Sequence, residues 1–206
     1  MSSGARGRKI WSWTGNQGQA RNAVARPRRT RMRVAASRLF LFLILSTTFV
    51  SAARADAFAA GSRAYAARNY VLAGQIFLPL AEERDARAQT YLGVMYLRGQ
   101  GVPQNFAVAA YWLQLASAAG VPTAQYFFGL MYDKGQGVPQ DFVRAQAWLN
   151  LAVAHAEPRL RDRWALIRNA VASKMTEAQL AEARRLAYQW EPEPNLALNW
   201  RLYIPR

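Results

Sequence analysis

Residues 88–120 read AQTYLGVMYLRGQGVPQNFAVAAYWLQLASAAG, and residues 124–156 read AQYFFGLMYDKGQGVPQDFVRAQAWLNLAVAHA. Set 36 residues apart, the two segments agree at eighteen of thirty-three positions. Ala88-Gln89 falls on Ala124-Gln125, Gly93 on Gly129, and Met95-Tyr96 on Met131-Tyr132. The run from Gly99 to Gln104 recurs unchanged from Gly135 to Gln140, and Phe106, Ala109, Trp112-Leu113 and Leu115-Ala116 recur as Phe142, Ala145, Trp148-Leu149 and Leu151-Ala152. A fixed period of this size marks stacked units, each of which exposes an apolar face that its neighbour must cover.

Each unit reads as a helix, a turn and a second helix. The first helix is expected over 88–98 and again over 124–134. In it Ala88 and Gly93, or Ala124 and Gly129, let a partner helix approach closely, and Tyr96 or Tyr132 fills the space beside them. Gly99 and Gly101, with Gly135 and Gly137, supply the backbone for a tight turn, and Pro103 and Pro139 are expected near the first turn of the next helix. The second helix repeats Ala109, Trp112 and Ala116, or Ala145, Trp148 and Ala152, at the i, i+3, i+7 spacing of a buried face, so both tryptophans are read as core.

The pattern continues more faintly on both sides. A helix is expected over 56–67 and a break at 68–70. Tyr70, Ala73, Ile76, Phe77 and Leu80 then mark the second helix of a degenerate unit (57–85) that lacks the Gly-x-Gly turn. Beyond the clear units (86–121 and 122–157), Leu160, Trp164, Ile167 and Val171 keep helical spacing, and Thr176 with Gln179 forms a capping-box signature. Residues 158–191 are therefore read as capping helices, with Arg159, Arg161, Arg163, Glu182, Arg184 and Arg185 on a polar outer side. Residues 192–206 form a tail without helical pattern.

The consensus Ala-Gln-x-x-Leu-Gly-x-Met-Tyr-x-x-Gly-x-Gly-Val-Pro-Gln-x-x-x-x-Ala-x-x-Trp-x-x-x-Ala resembles the Sel1-like repeat, a relative of the tetratricopeptide repeat. The match is near complete over 86–156 and partial over 57–85; Phe128 stands where that family prefers Leu, and His155-Ala156 replaces its usual Ala-Gly exit. The resemblance implies an all-α, right-handed solenoid of antiparallel helix pairs. It also implies an adaptor or regulator that binds another protein.

The formal net charge is +15, from 27 Lys and Arg against 12 Asp and Glu. Residues 1–55 hold 11 of the basic residues and no acid, so 16 bases face 12 acids in the remainder, a net of +4. The basicity belongs to the leader, and nucleic acid is not an expected partner of the domain. Residues 1–31 are rich in Gly, Ser, Asn, Gln and Arg, and are read as a disordered basic extension. Arg33 and Arg38, then the apolar run from Leu39 to Val50, then Ala53-Arg54-Ala55 follow the grammar of a secretory signal peptide over 32–55, with the cut after Ala55. Met1 and Met32 remain alternative starts. The apolar run is shorter than the ~20 residues that a spanning helix needs, so no stable membrane span is expected after cleavage. The expected location is the periplasm of a Gram-negative bacterium, or outside the cell.

Catalytic signatures are weak. The sequence holds no cysteine and one histidine, which excludes disulfides and the usual nitrogen–sulfur metal set. His155 sits at an expected helix end, where a cation suits the dipole. Glu82, Glu83 and Asp85 read as a solvated corner. Gly-x-Gly-Val-Pro lacks the Gly-Lys-Ser/Thr of a phosphate loop and reads as a turn. No enzyme, cofactor or metal site is expected.

Specificity is expected where the repeat leaves residues free. On the first helices these are Tyr91, Val94 and Arg98, matched by Phe127, Leu130 and Lys134, together with Tyr126 opposite Thr90. Aromatics flanked by cations suit a peptide or protein partner, although Val94 and Phe127 could equally pack between units. The sequence reading is thus a non-catalytic interaction scaffold of the cell envelope. Its alternatives are an enzyme or binder acting on cell-wall or antibiotic-type substrates, and a polyanion or membrane-surface binder that keeps its basic leader.

Overall fold

The computed structural model describes residues 54–192. The basic extension, nearly all of the expected signal peptide and the tail beyond Pro192 lie outside the described residues. Those described form eight helices and no strand. Helix α1 is described over 54–66. It is followed by α2 (Tyr70–Glu82), α3 (Ala86–Arg98), α4 (Phe106–Ala118), α5 (Pro122–Lys134), α6 (Phe142–Ala154), α7 (Pro158–Ala172) and α8 (Glu177–Gln189). From α2 to α7 each helix packs against the next in sequence, α3 also meets α5, and α8 turns back against α6.

Short side chains at the helix starts set the boundaries. Asp85 accepts the amides of Arg87 and Ala88 at 2.9 and 3.2 Å, Asn105 that of Val108 at 3.1 Å, and Asp141 that of Arg144 at 2.9 Å. Each satisfies amides that lack an intrahelical carbonyl. Helices α5 and α7 instead start with Pro122 and Pro158, where the missing N–H costs nothing. Thr176 and Gln179 form the expected capping box of α8. The structure corrects two boundaries. The first helices start two residues before Ala88 and Ala124, because Asp85 and Pro122 provide the starts. Pro103 and Pro139 lie in the loops, outside the helices they were expected to open, and Asn105 and Asp141 take the capping role.

The repeated glycines mark close approaches. A Cβ on Gly93 would lie 2.5 Å from Leu113 Cγ, and one on Gly129 would lie 2.9 Å from Leu149 Cγ. The two helices of a unit therefore meet at a position that holds no side chain. Gly101, at φ 71°, would press a Cβ to 2.5 Å from the Tyr70 carbonyl carbon, and Gly137 touches Phe106 in the same way. Each loop thus rests on the start of the preceding unit's second helix.

The repeated glutamines hold the carbonyls left over at helix ends. Gln89 Nε2 donates to the Ala81 carbonyl at 3.1 Å and Gln125 Nε2 to that of Ser117 at 3.3 Å, each across a unit boundary. Gln104 and Gln140 donate to the carbonyls of Leu97 and Asp133 at 2.9 and 2.7 Å, closing the ends of α3 and α5. One core gathers around Phe77, Leu92, Met95 and Trp112, a second around Leu113, Phe128, Met131 and Leu149. Trp112 is core as expected. Trp148 is only half-buried: it leans on Phe128 and is covered from α8 by Trp190, with ring centroids 6.2 Å apart. His155 caps the end of α6, its Nδ1 3.0 Å from the Leu151 carbonyl.

Candidate functional site

The first helix of every pair contributes to one continuous groove. A cavity of about 350 Å³ opens between α1, α3 and the start of α5, and a second of about 620 Å³ opens between α3, α5 and α7. The two share Arg98, Thr123 and Phe127. All seven residues singled out on the first helices line one or the other.

Their roles divide. Val94 is 7% exposed and belongs to the core; it forms the floor of the smaller cavity and is not a free contact residue. Tyr91 is held by aromatic neighbours, stacked on Phe77 at 4.6 Å and edge-on to Phe58 and Tyr65. It is a wall whose position the core decides. Tyr126 stacks on Trp164 at 4.7 Å with the planes 11° apart, and Phe127 meets the Tyr126 ring edge-on at 5.4 Å. Arg98 lies over Phe127, 5.4 Å from the ring centre, a cation–π arrangement that keeps the guanidinium at the seam of the two cavities. Leu130 is half-buried and Lys134 exposed. Thr90, opposite Tyr126 in the repeat, is buried and donates its hydroxyl to the Ala86 carbonyl at 2.7 Å.

Sequence reasoning missed part of the groove. Phe58 and Tyr65 come from the degenerate first unit, and the Tyr65 hydroxyl donates to Gln100 Oε1 at 2.8 Å. Arg87 lies 4.0 Å over the Phe58 ring while pairing with Asp85 at 2.9 Å. Arg163 and Trp164 close the far end. Arg163, expected on the polar outer side of the cap, instead lines the groove beside Tyr126. The signal was present. Carrying the 36-residue shift once more places Pro122 on Pro158, Phe127 on Arg163 and Phe128 on Trp164.

Burial perturbs the groove's phenols. It pushes Tyr126 above its ordinary value against the pull of Arg163, and Tyr65 above its ordinary value against the pull of Arg98. Asp85 shows the opposite net direction. Burial would raise it, but the Arg87 side chain and the amides of Ala88 and Arg87 outweigh that and hold the carboxyl low.

The arrangement offers an apolar, aromatic wall with cations along its length and suits binding. Among the described residues there is no cluster of His, Asp or Glu that could hold a metal ion, and no helix long and apolar enough to cross a membrane.

The Sel1 repeat family matches residues 86–121 and 122–156. A search of the curated proteins found no match. Among solved structures, the chain is similar to a protective antigen present in uropathogenic Escherichia coli strains that displays an SLR fold. The two share 28% identity with a TM-score of 0.61, over 66% of this chain and 29% of that one. It is also similar in fold to a Sel1 repeat protein from Oxalobacter formigenes, at 23% identity and a TM-score of 0.50, over 64% of this chain and 55% of that one. The chain thus spans about three-tenths of the first protein and just over half of the second. Residues 86–121 and 122–156 are thus two Sel1 repeats, and the helices around them continue the same all-α solenoid.

Proposed function

We propose that the chain is a non-catalytic docking scaffold of the bacterial cell envelope, holding a partner protein in the groove of the first helices. Sel1 repeats typically build protein-interaction scaffolds. The observation that carries the reading is the continuity of the groove: α1, α3, α5 and α7 each contribute side chains, and Arg98 and Phe127 belong to both cavities. Export rests on the signal-peptide grammar of residues 32–55.

The test is affinity capture from envelope extract, with the native chain beside a variant carrying Arg98→Ala, Leu130→Ala and Lys134→Ala. These three side chains are exposed or half-buried, so their truncation spares the core. Tyr91 is left intact because of its stack on Phe77. A protein retained by the native chain and lost by the variant is the expected result. Equal retention by both places docking elsewhere. Recovery of the chain from the cytoplasmic fraction with residues 1–55 still attached contradicts the envelope assignment.

A further inference from the structure

Resting on that docking reading, we infer that the groove's occupant is an extended acidic segment of a partner protein, with an apolar anchor residue in the smaller cavity and carboxylates along the larger one. Charge carries the argument. Four cations line the two cavities (Arg87, Arg98, Lys134 and Arg163), and no Asp or Glu lines either. The described region as a whole is close to balanced, with 15 Lys and Arg against 11 Asp and Glu. The absence of acid is therefore a property of this face, not of composition.

Three of the four cations also lack an internal counter-charge. Arg87 pairs with Asp85, but among the described residues Arg98, Lys134 and Arg163 form no ion pair. Nearby surface charges do find partners: Asp133, next to Lys134 in sequence, pairs with Lys174 at 2.7 Å. Cations left unpaired along one groove favour an anion from outside.

The shape selects the kind of anion. The smaller cavity is walled by Phe58, Tyr65, Tyr91 and Phe127 over a floor of Val94, a setting for one apolar side chain. The larger cavity has Lys134 and Arg163 on it with Arg98 at the seam, so carboxylates follow the anchor along the chain direction. An extended polypeptide fits this sequence of environments. The chain's own tail, residues 193–206, fits it less well, since it carries Arg201 and Arg206 against Glu193. Nucleic acid would demand cations repeated over a longer track than two adjoining cavities provide.

The experiment is selection of a random peptide library, displayed on phage, on the full chain. Counter-selection uses a chain carrying Lys134→Glu and Arg163→Glu. The counter-selecting chain has the same basic leader, so peptides that merely bind residues 1–55 are removed. Both substituted residues are exposed, and circular dichroism checks that the variant keeps its helices. The expected outcome is enrichment of peptides with one large apolar residue followed by Asp and Glu, with affinity falling at least tenfold on the double variant and on raising salt.

Enriched peptides without acidic bias would overturn the inference while leaving a docking groove in place. No enrichment over the counter-selection would overturn it as well, and the envelope capture described above then decides separately whether the groove docks anything. A single-stranded oligonucleotide that binds as tightly as the selected peptides, and is lost on the same variant, would replace the acidic segment by a general polyanion.

Discussion

Gly93 and Asp85 show how single positions hold the unit together. Leu113 occupies the space where a side chain on Gly93 would go, with its Cγ 2.5 Å and its backbone nitrogen 3.2 Å from that position. Gly93→Ala is expected to cost about 1–3 kcal/mol by overpacking, read as a lower urea midpoint with an unchanged slope. Wild-type stability in that variant would mean that Leu113 is free to move aside. Asp85 caps α3, and replacing such a cap with Ala costs about 1 kcal/mol. Its folded carboxyl is held below the unfolded value, so its contribution is complete above the unfolded carboxylate range and is lost as pH falls through the folded value. The stability gap between native chain and Asp85→Asn should therefore be largest near neutral pH and close in acid. Tyr65, Tyr96 and Tyr126 work in the opposite direction: burial raises all three, so stability falls as pH rises through the phenol range.

At the scale of the element, helices with similar lengths differ sharply in what they bury. Helix α4 buries nine residues along its thirteen, α7 buries only Trp164 and Val171, and α8 only Ala183. The last pair is thus held by few side chains, and Trp164 is the anchor that also supports Tyr126 in the groove. Trp164→Ala is expected to cost about 3–5 kcal/mol, the usual range for a buried tryptophan, and to loosen α7 while α3 and α4 stay folded. Native-state hydrogen exchange separates the two regions: fast exchange confined to α7 and α8 is the expected pattern, and uniform loss across all helices would contradict it.

The element scale also explains what the sequence showed and what it concealed. The helix pairs were legible because Gly-Gln-Gly-Val-Pro-Gln recurs and the apolar positions keep a 3.6-residue period. Less legible was the identity of the cap, because Asn105 and Asp141 compete with a nearby proline as the start signal. Trp148 shares its spacing with Trp112 yet stays half-buried, beside a cavity that Leu186 of α8 and Trp190 at its end also line. Arg163 looked like part of a solvated face because periodicity separates faces of one helix but does not say which face meets a neighbouring unit. Val94 stands open between groove and core in the sequence because the repeat does not fix its identity, and the structure places it in the core.

Over the whole molecule, stability is the sum of neighbouring interfaces, and the groove is a by-product of stacking. Each first helix adds one strip to it, so its length grows with the number of units and its chemistry with the residues the repeat leaves unassigned. The buried glutamine bonds between units, Gln89 to Ala81 and Gln125 to Ser117, tie each first helix to the end of the preceding unit's second helix. On the proposed reading a partner docks on this face, and not on the α6–α8 side around Trp148 and Trp190. Hydrogen exchange of the full chain, free and bound to the captured envelope partner, tests it most directly. Slowed exchange is expected in 86–98 and 122–134, with α6 and α8 unchanged. Protection centred on Trp148 and Trp190, with none on α3 and α5, would contradict it.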